Sequence, residues 1–193
     1  KPLIGFLEKK NVNECLNTNW ISSKGKFVSL FENKFKKFVK VPYAVSVCNG
    51  TAALHLSLLA LKIKKNDEVI TVSNTAVPTV SAIVSCFAKP IFVDVSEKDF
   101  LINTDLIEEK INKKTKAIIP VNLYGQCANY QEITKISDKY NLKIIEDCAQ
   151  STGALYKGLP SGSFGDLSAF SFYPTKNLGG YGDGGMKIGR AHV

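Results

Sequence analysis

From Tyr43 onward the sequence alternates short apolar runs with longer amphipathic ones, and that alternation leaves few architectures open. Runs at 44–48, 68–72, 91–95, 117–121 and 142–146 have the length and branched composition of buried strands. The stretches 51–63, 77–87, 104–111 and 131–140 between them have the spacing of helices with one apolar face. Strands that alternate with helices predict an α/β fold with a largely parallel sheet, because parallel neighbours need a crossover and a helix supplies it. Helices then cover both faces, and ligands gather beyond the carboxyl ends of the strands. Before Tyr43, residues 32–39 read as helix after a polar loop containing Trp20 and Gly25. After Gln150 the alternation stops. Residues 153–158, 167–172 and 184–188 read as short strands in a stretch rich in Gly, Ser and Tyr, which suits a site better than a core.

Composition removes several classes of function. The chain has 193 residues, 45% hydrophobic and 22% charged, which suits one soluble globular domain or one lobe of a larger protein. Its longest apolar run, 52–61, is broken by His55 and Ser57 and is too short to span a bilayer, and no signal peptide opens the chain. The net charge of +8 comes largely from lysines read as scattered over helix faces, such as Lys34, Lys36, Lys37, Lys40, Lys62, Lys64 and Lys65. Without interleaved arginines and aromatics they read as a solvated exterior, not a nucleic-acid surface. The five cysteines are dispersed, with no C-x-x-C pair, so neither a metal site nor a disulfide framework is expected; reduced thiols in the cytoplasm are the simpler reading. With only His55 and His192 present, general-base chemistry falls to a lysine or a carboxylate.

Three segments can carry chemistry. In Cys48-Asn49-Gly50-Thr51-Ala52-Ala53-Leu54 a strand ends, a glycine permits a tight turn, and a helix begins at Thr51. Free amides and the positive end of the helix dipole make such a start a seat for phosphate, though Gly50 as a plain turn and Thr51 as a plain cap would explain the segment alone. In Ile144-Ile145-Glu146-Asp147-Cys148-Ala149-Gln150 a buried strand ends on a carboxylate. Asp147 there either caps a helix or accepts a hydrogen bond from a protonated ring nitrogen. In Ser171-Phe172-Tyr173-Pro174-Thr175-Lys176-Asn177-Leu178-Gly179-Gly180 a lysine follows an apolar strand and a proline and precedes a glycine-rich loop. Lys176 is either an exposed loop lysine or an amine nucleophile, with the Ser171 hydroxyl near enough in sequence to serve the same ligand. His55, beside Leu54, Leu58 and Leu59, reads as packing.

Taken together, NGTAALHLSLLAL, DEVITVSNTAVPT, PIFVDV, VNLYGQ, IIEDCAQSTGA and GSFGDLSAFSFYPTKNLGGYGDGG resemble, in order, the DegT/DnrJ/EryC1/StrS family of nucleotide-sugar aminotransferases. That family is a branch of the fold-type I pyridoxal-phosphate (PLP) enzymes. The resemblance implies the large domain of such an enzyme, a mostly parallel seven-stranded sheet sandwiched by helices. It implies a helical segment over 1–40, a PLP-binding domain over 41–187, and a smaller C-terminal domain that this chain lacks. Lys176 takes the place of the Schiff-base lysine and Asp147 that of the partner of the ring nitrogen. Gln150 falls near the cofactor's phenolic oxygen. Gly50, Thr51 and Ala52 match the phosphate-binding turn, to which Ser171 adds a hydroxyl. No metal is implied.

The implied reaction moves an amino group from an amino acid, with glutamate the expected donor, to a keto group on a nucleotide-linked deoxysugar, in a cytoplasmic homodimer. Many relatives carry an aromatic residue where this chain has Ala76, so what covers the ring face is open. Some relatives replace the lysine by histidine and act as dehydratases; Lys176 favours transamination. A non-catalytic PLP- or nucleotide-binding regulator of the same fold is the alternative. Finally, Ile188-Gly189-Arg190-Ala191-His192-Val193 departs from the family's Thr/Asn-rich continuation. It corresponds to the translation of a widely used sequencing adapter, so 188–193 reads as a non-native tail on a protein that continues past Lys187.

Overall fold

A computed structural model describes residues 3–189 of the chain. It opens with two helices, α1 (Phe6–Asn17) and α2 (Lys26–Val39). The alternating region follows as β1 (Tyr43–Val47), α3 (Gly50–Ala60), β2 (Glu68–Val72), α4 (Val77–Ser85), β3 (Lys89–Val93), β4 (Thr115–Ile119), α5 (Tyr130–Tyr140) and β5 (Lys143–Asp147). A small ribbon of β6 (Leu155–Tyr156) and β7 (Leu159–Pro160) precedes β8 (Leu167–Ser171) and β9 (Gly185–Gly189). Seven strands form one sheet in the order β1-β9-β8-β5-β4-β2-β3. β9 is antiparallel to both its neighbours and the other pairings are parallel, so the expected mostly parallel α/β sheet is present.

The two faces of the sheet are read directly from the period of two along its strands. In β4, Ile118 packs with Ile70 and Ile144 and with Ile133 and Ile136 of α5. Its neighbours Ala117 and Ile119 pack on the other side with Ile145, with Leu54 and Leu58 of α3, and with Ile83 of α4. Full burial of such side chains contributes about 1.5–3 kcal/mol each and fixes the register, since a one-residue slip would turn the whole set outward. A third cluster ties α2 to the sheet, with Phe35 edge-on to Phe170 and Phe172 at 4.9 and 5.3 Å between ring centres.

Several boundaries differ from the sequence reading, each for a local reason. α2 begins at Lys26, and α1 falls within the helical segment implied over 1–40 but has no periodic signal of its own: none of its residues is buried, and its start is marked only by Glu8, whose carboxylate accepts the Gly5 N–H at 2.8 Å. The stretch 104–111 forms two 3-10 turns instead of a helix, started by the Asn103 side chain accepting the Asp105 N–H at 3.1 Å. β3 and β4 lie two residues earlier than their apolar runs, because Lys89 and Thr115 pair with Glu68 of β2. The strand expected over 153–158 is confined to the separate ribbon, where Lys157 and Gly158, at φ 50° and 80°, turn the chain back. Lys62, Lys64 and Lys65 lie beyond the end of α3 and not on a helix face. Of the expected tail, Ile188 and Gly189 complete β9, whereas 190–193 lie outside the described residues. Among the described residues no helix is long and apolar enough to cross a membrane.

Candidate active site

The parallel strands end on one side of the sheet, and the segments that follow them surround a cavity of about 310 Å³. Asn49, Gly50 and Thr51 come from the turn after β1, and Thr75, Ala76 and Thr79 from the end of β2 and the start of α4. Asp147 closes β5, Ser171 closes β8, and Lys176 lies five residues further on. The carboxyl-end crevice expected of an open α/β sheet therefore holds residues separated by more than 120 positions.

Helix α3 begins at Gly50, one residue earlier than the sequence reading placed it, and its cap is not Thr51 but Asn49. Its side-chain oxygen accepts the Ala52 N–H at 2.8 Å and its carbonyl the Ala53 N–H at 3.1 Å. That leaves the Gly50 and Thr51 amides as the helix's outward donors at the cavity wall, while Ala52 is drawn into the cap and does not line the cavity. Gly50 is needed for proximity and not for a turn. A Cβ there would stand 2.9 Å from the Ser171 Cβ. Gly185 is tighter still, since its added Cβ would meet the Asn49 carbonyl at 2.4 Å. These contacts bring the Ser171 hydroxyl beside the helix start.

Asp147 is 4% exposed. Its Oδ2 accepts the Thr79 hydroxyl at 2.7 Å and its Oδ1 the Ala149 N–H at 3.1 Å. Burial pushes the carboxyl above the usual carboxylate range, against the pull of the Thr79 and Ala149 hydrogen bonds and of the Lys176 ammonium. Asp147 is thus not a helix cap. It is a buried carboxylate, bonded by neutral donors, in the wall of a cavity.

Lys176 is half-buried on the same cavity, with its backbone N–H on the Tyr173 carbonyl at 2.8 Å. Gln150 also lines it, and its side-chain oxygen holds the Tyr124 N–H at 3.3 Å, steadying a turn in which Tyr124 has φ 57°. Of the seven residues singled out from sequence, the structure brings together Gly50, Thr51, Asp147, Gln150, Ser171 and Lys176, and leaves Ala52 outside.

Sequence reasoning missed two residues. Thr79 sits in a quoted motif but looked like any polar helical residue. Glu146, beside Asp147 but on the other side of the strand, is fully buried and accepts the Gly162, Phe164 and Gly165 amides at 2.9, 2.6 and 2.7 Å. It fastens the loop before β8, and burial raises its carboxyl above the usual range. The strand's own alternation could have separated the two carboxylates by face.

Comparison with known proteins gives concordant matches. The model of the DegT/DnrJ/EryC1/StrS aminotransferase family matches residues 3–190. A GDP-perosamine synthase of Vibrio cholerae is 39% identical over 193 residues, covering 100% of this chain and 52% of the relative. The X-ray structure of an aminotransferase from Psychrobacter cryohalolentis superposes with a TM-score of 0.93 at 36% identity, covering 98% of this chain and 48% of the other. NtdA from Bacillus subtilis, solved with bound cofactor pyridoxamine phosphate (PMP), gives 0.87 at 33% identity, covering 98% and 43%. The chain spans about half the length of the curated relatives it matches.

Proposed function

The chain belongs to the DegT/DnrJ/EryC1/StrS aminotransferase family, and from that premise we propose that it forms the cofactor-binding part of a PLP-dependent aminotransferase. The substrates of this reading are a nucleotide-linked keto-sugar and an amino-acid donor, with glutamate the expected one. The observation that carries it is the placement of a buried carboxylate, a lysine and a helix start around one cavity.

The residues fit the cofactor. A buried Asp147 bonded by neutral groups is matched by a cationic ring N–H in the cavity it lines. The Gly50 and Thr51 amides with the Ser171 hydroxyl make a phosphate seat whose floor tolerates no side chain at Gly50. When bound, PLP supplies an aldehyde that takes up amines covalently and a protonated ring that accepts electrons.

The chain's own part follows. Lys176 Nζ would be the amine that takes up the aldehyde and, when free, the base that moves a proton between substrate and cofactor carbons. The Asp147 carboxylate would keep the proton on the ring nitrogen, Gln150 would serve the phenolic oxygen, and the start of α3 would hold the phosphate. Ala76 stands on the cavity where the family resemblance leads one to expect an aromatic residue over the ring face. Dimer assembly and a cytoplasmic setting belong to the same proposal.

The test is spectroscopic. The full-length protein with PLP should show a visible absorption band that glutamate converts to the amine form and a nucleotide-linked keto-sugar restores. A band unmoved by any amino acid would favour the non-catalytic regulator.

A further inference from the structure

The wall behind Asp147 contains two threonines for which the proposed reaction has so far found no use. Thr79, in the first turn of α4, is 1% exposed, and its hydroxyl donates to Asp147 Oδ2 at 2.7 Å. The Thr75 hydroxyl lies 2.7 Å from the Thr79 oxygen, and both residues line the cavity. A hydroxyl has one proton. Since an ionised carboxylate can only accept, the Thr79 proton points at Asp147, and the Thr75 hydroxyl must be the donor in the second bond. The two bonds therefore form a polarised chain that ends on the carboxylate. On the other oxygen the Ala149 N–H, at 3.1 Å, fixes the remaining freedom of the group.

We propose that Thr79, backed by Thr75, is a positioning residue that holds Asp147 ionised and aimed so that the cofactor's ring nitrogen stays protonated. The inference rests on the PLP reading above and concerns how the electron-accepting ring is maintained. Burial opposes ionisation of Asp147, and the Thr79 hydroxyl is the largest counterweight. The other groups that bear on the carboxylate are the Ala149 N–H and the Lys176 ammonium, while the Cys148 thiol is its neighbour in sequence and Asp183 lines the same cavity. With the Thr79 bond removed, Asp147 competes better for the shared proton and the ring nitrogen loses it.

The experiment uses the full-length protein loaded with PLP labelled with ¹⁵N in the ring. Thr79→Val removes the hydroxyl at nearly constant shape, and Thr79→Ser keeps it. In the wild-type and Thr79→Ser proteins the ring nitrogen should show the shift of a protonated pyridine. In Thr79→Val the signal should move toward the unprotonated value, with kcat lower by about tenfold or more, as expected for loss of a hydrogen bond to an ion. Thermal melting of all three proteins without cofactor shows whether they fold alike. If Thr79→Val keeps the wild-type shift, or if Thr79→Ser moves the signal as far as Thr79→Val, the positioning role is wrong and Thr79 merely packs. If the wild-type protein takes up no PLP, the cofactor reading itself fails, which is a different outcome.

Discussion

The close approach of Gly50 to Ser171 gives a quantitative test. In Gly50→Ala the new Cβ would stand 2.9 Å from the Ser171 Cβ, 3.4 Å from its Cα and 3.5 Å from the Phe170 carbonyl. Carbon atoms rest at about 3.5–4.0 Å, so roughly 0.6–1.1 Å must be found by moving the start of α3 away from β8. Overpacking of this kind costs about 1–3 kcal/mol, and the better helix propensity of alanine returns less than about 1 kcal/mol. The net expectation is a loss of about 1–2 kcal/mol in urea denaturation of the full-length protein. The displaced amides would also lose aim at the phosphate. Each hydrogen bond to an ion contributes about 1.5–3 kcal/mol, so PLP affinity read by fluorescence titration should fall about tenfold or more. The contact partner supplies the control. Ser171→Gly removes the atom that the added methyl would strike, so the double variant should be destabilised by clearly less than the sum of the single changes. Additivity within about 0.5 kcal/mol would refute the contact as the reason for glycine at this position.

Lys176→Ala and Lys176→Arg should abolish transamination while PLP still binds through its phosphate and ring nitrogen. Borohydride reduction of the wild-type holoenzyme followed by peptide mapping checks this, since a pyridoxyl label on another lysine would overturn the assignment. Asp147 and Glu146 both have folded-state pKa values raised by burial, so each binds its proton more readily folded than unfolded. Their contribution to stability is therefore present at acid pH and is lost as pH rises from the ordinary carboxylate range through the raised values. Asp147→Asn should flatten part of that slope in urea denaturation of the cofactor-free protein at several pH values, and an unchanged slope would place the titration elsewhere. Ala76→Phe should tighten PLP binding about two- to tenfold by giving the ring an aromatic face. Ala76 has an ordinary extended backbone, φ −76° and ψ 152°, that phenylalanine can adopt, and equal or weaker binding would show that the face is already covered.

The fold was legible because its signal is long-range and repeated. Each apolar run from β1 to β5 is followed by helical or turn-forming residues, and a parallel sheet is what such a sequence can bury. What escaped was local. α1 has no buried face to give it a period, so only Glu8 marked its start. The 3-10 turns over 104–110 follow from one asparagine side chain competing with helix hydrogen bonds. In the site, Asp147, Ser171 and Lys176 were legible because each stands at or just beyond a strand end. The purpose of Gly50 was misread, as the demand on it comes from Ser171, more than a hundred residues away. Thr79 was invisible for the same reason, since only folding places it against Asp147.

The antiparallel strand explains why these distant demands converge. β9 lies between β1 and β8, and its first residue, Gly185, pairs with both Val47 and Ser171, the last residues of those strands. The three strand ends therefore meet beneath the start of α3, where Gly185 passes under Asn49 with no room for a side chain. The segment between β8 and β9 carries Lys176 and is closed at its base. The Phe172 N–H reaches the Gly184 carbonyl at 2.7 Å, and the Gly180 N–H reaches the Phe172 carbonyl at 2.8 Å. The lysine loop thus grows from the same strand ends that hold the helix start in place. A parallel β9 would have to enter the sheet from its opposite edge, and the chain from Ser171 would have to cross the sheet's whole length. By reversing direction at once, the chain turns over the crevice itself and keeps Lys176 on the cavity that Asp147 lines. The antiparallel strand in an otherwise parallel sheet therefore ties Lys176, Asp147 and the start of α3 to one rigid end of the strands.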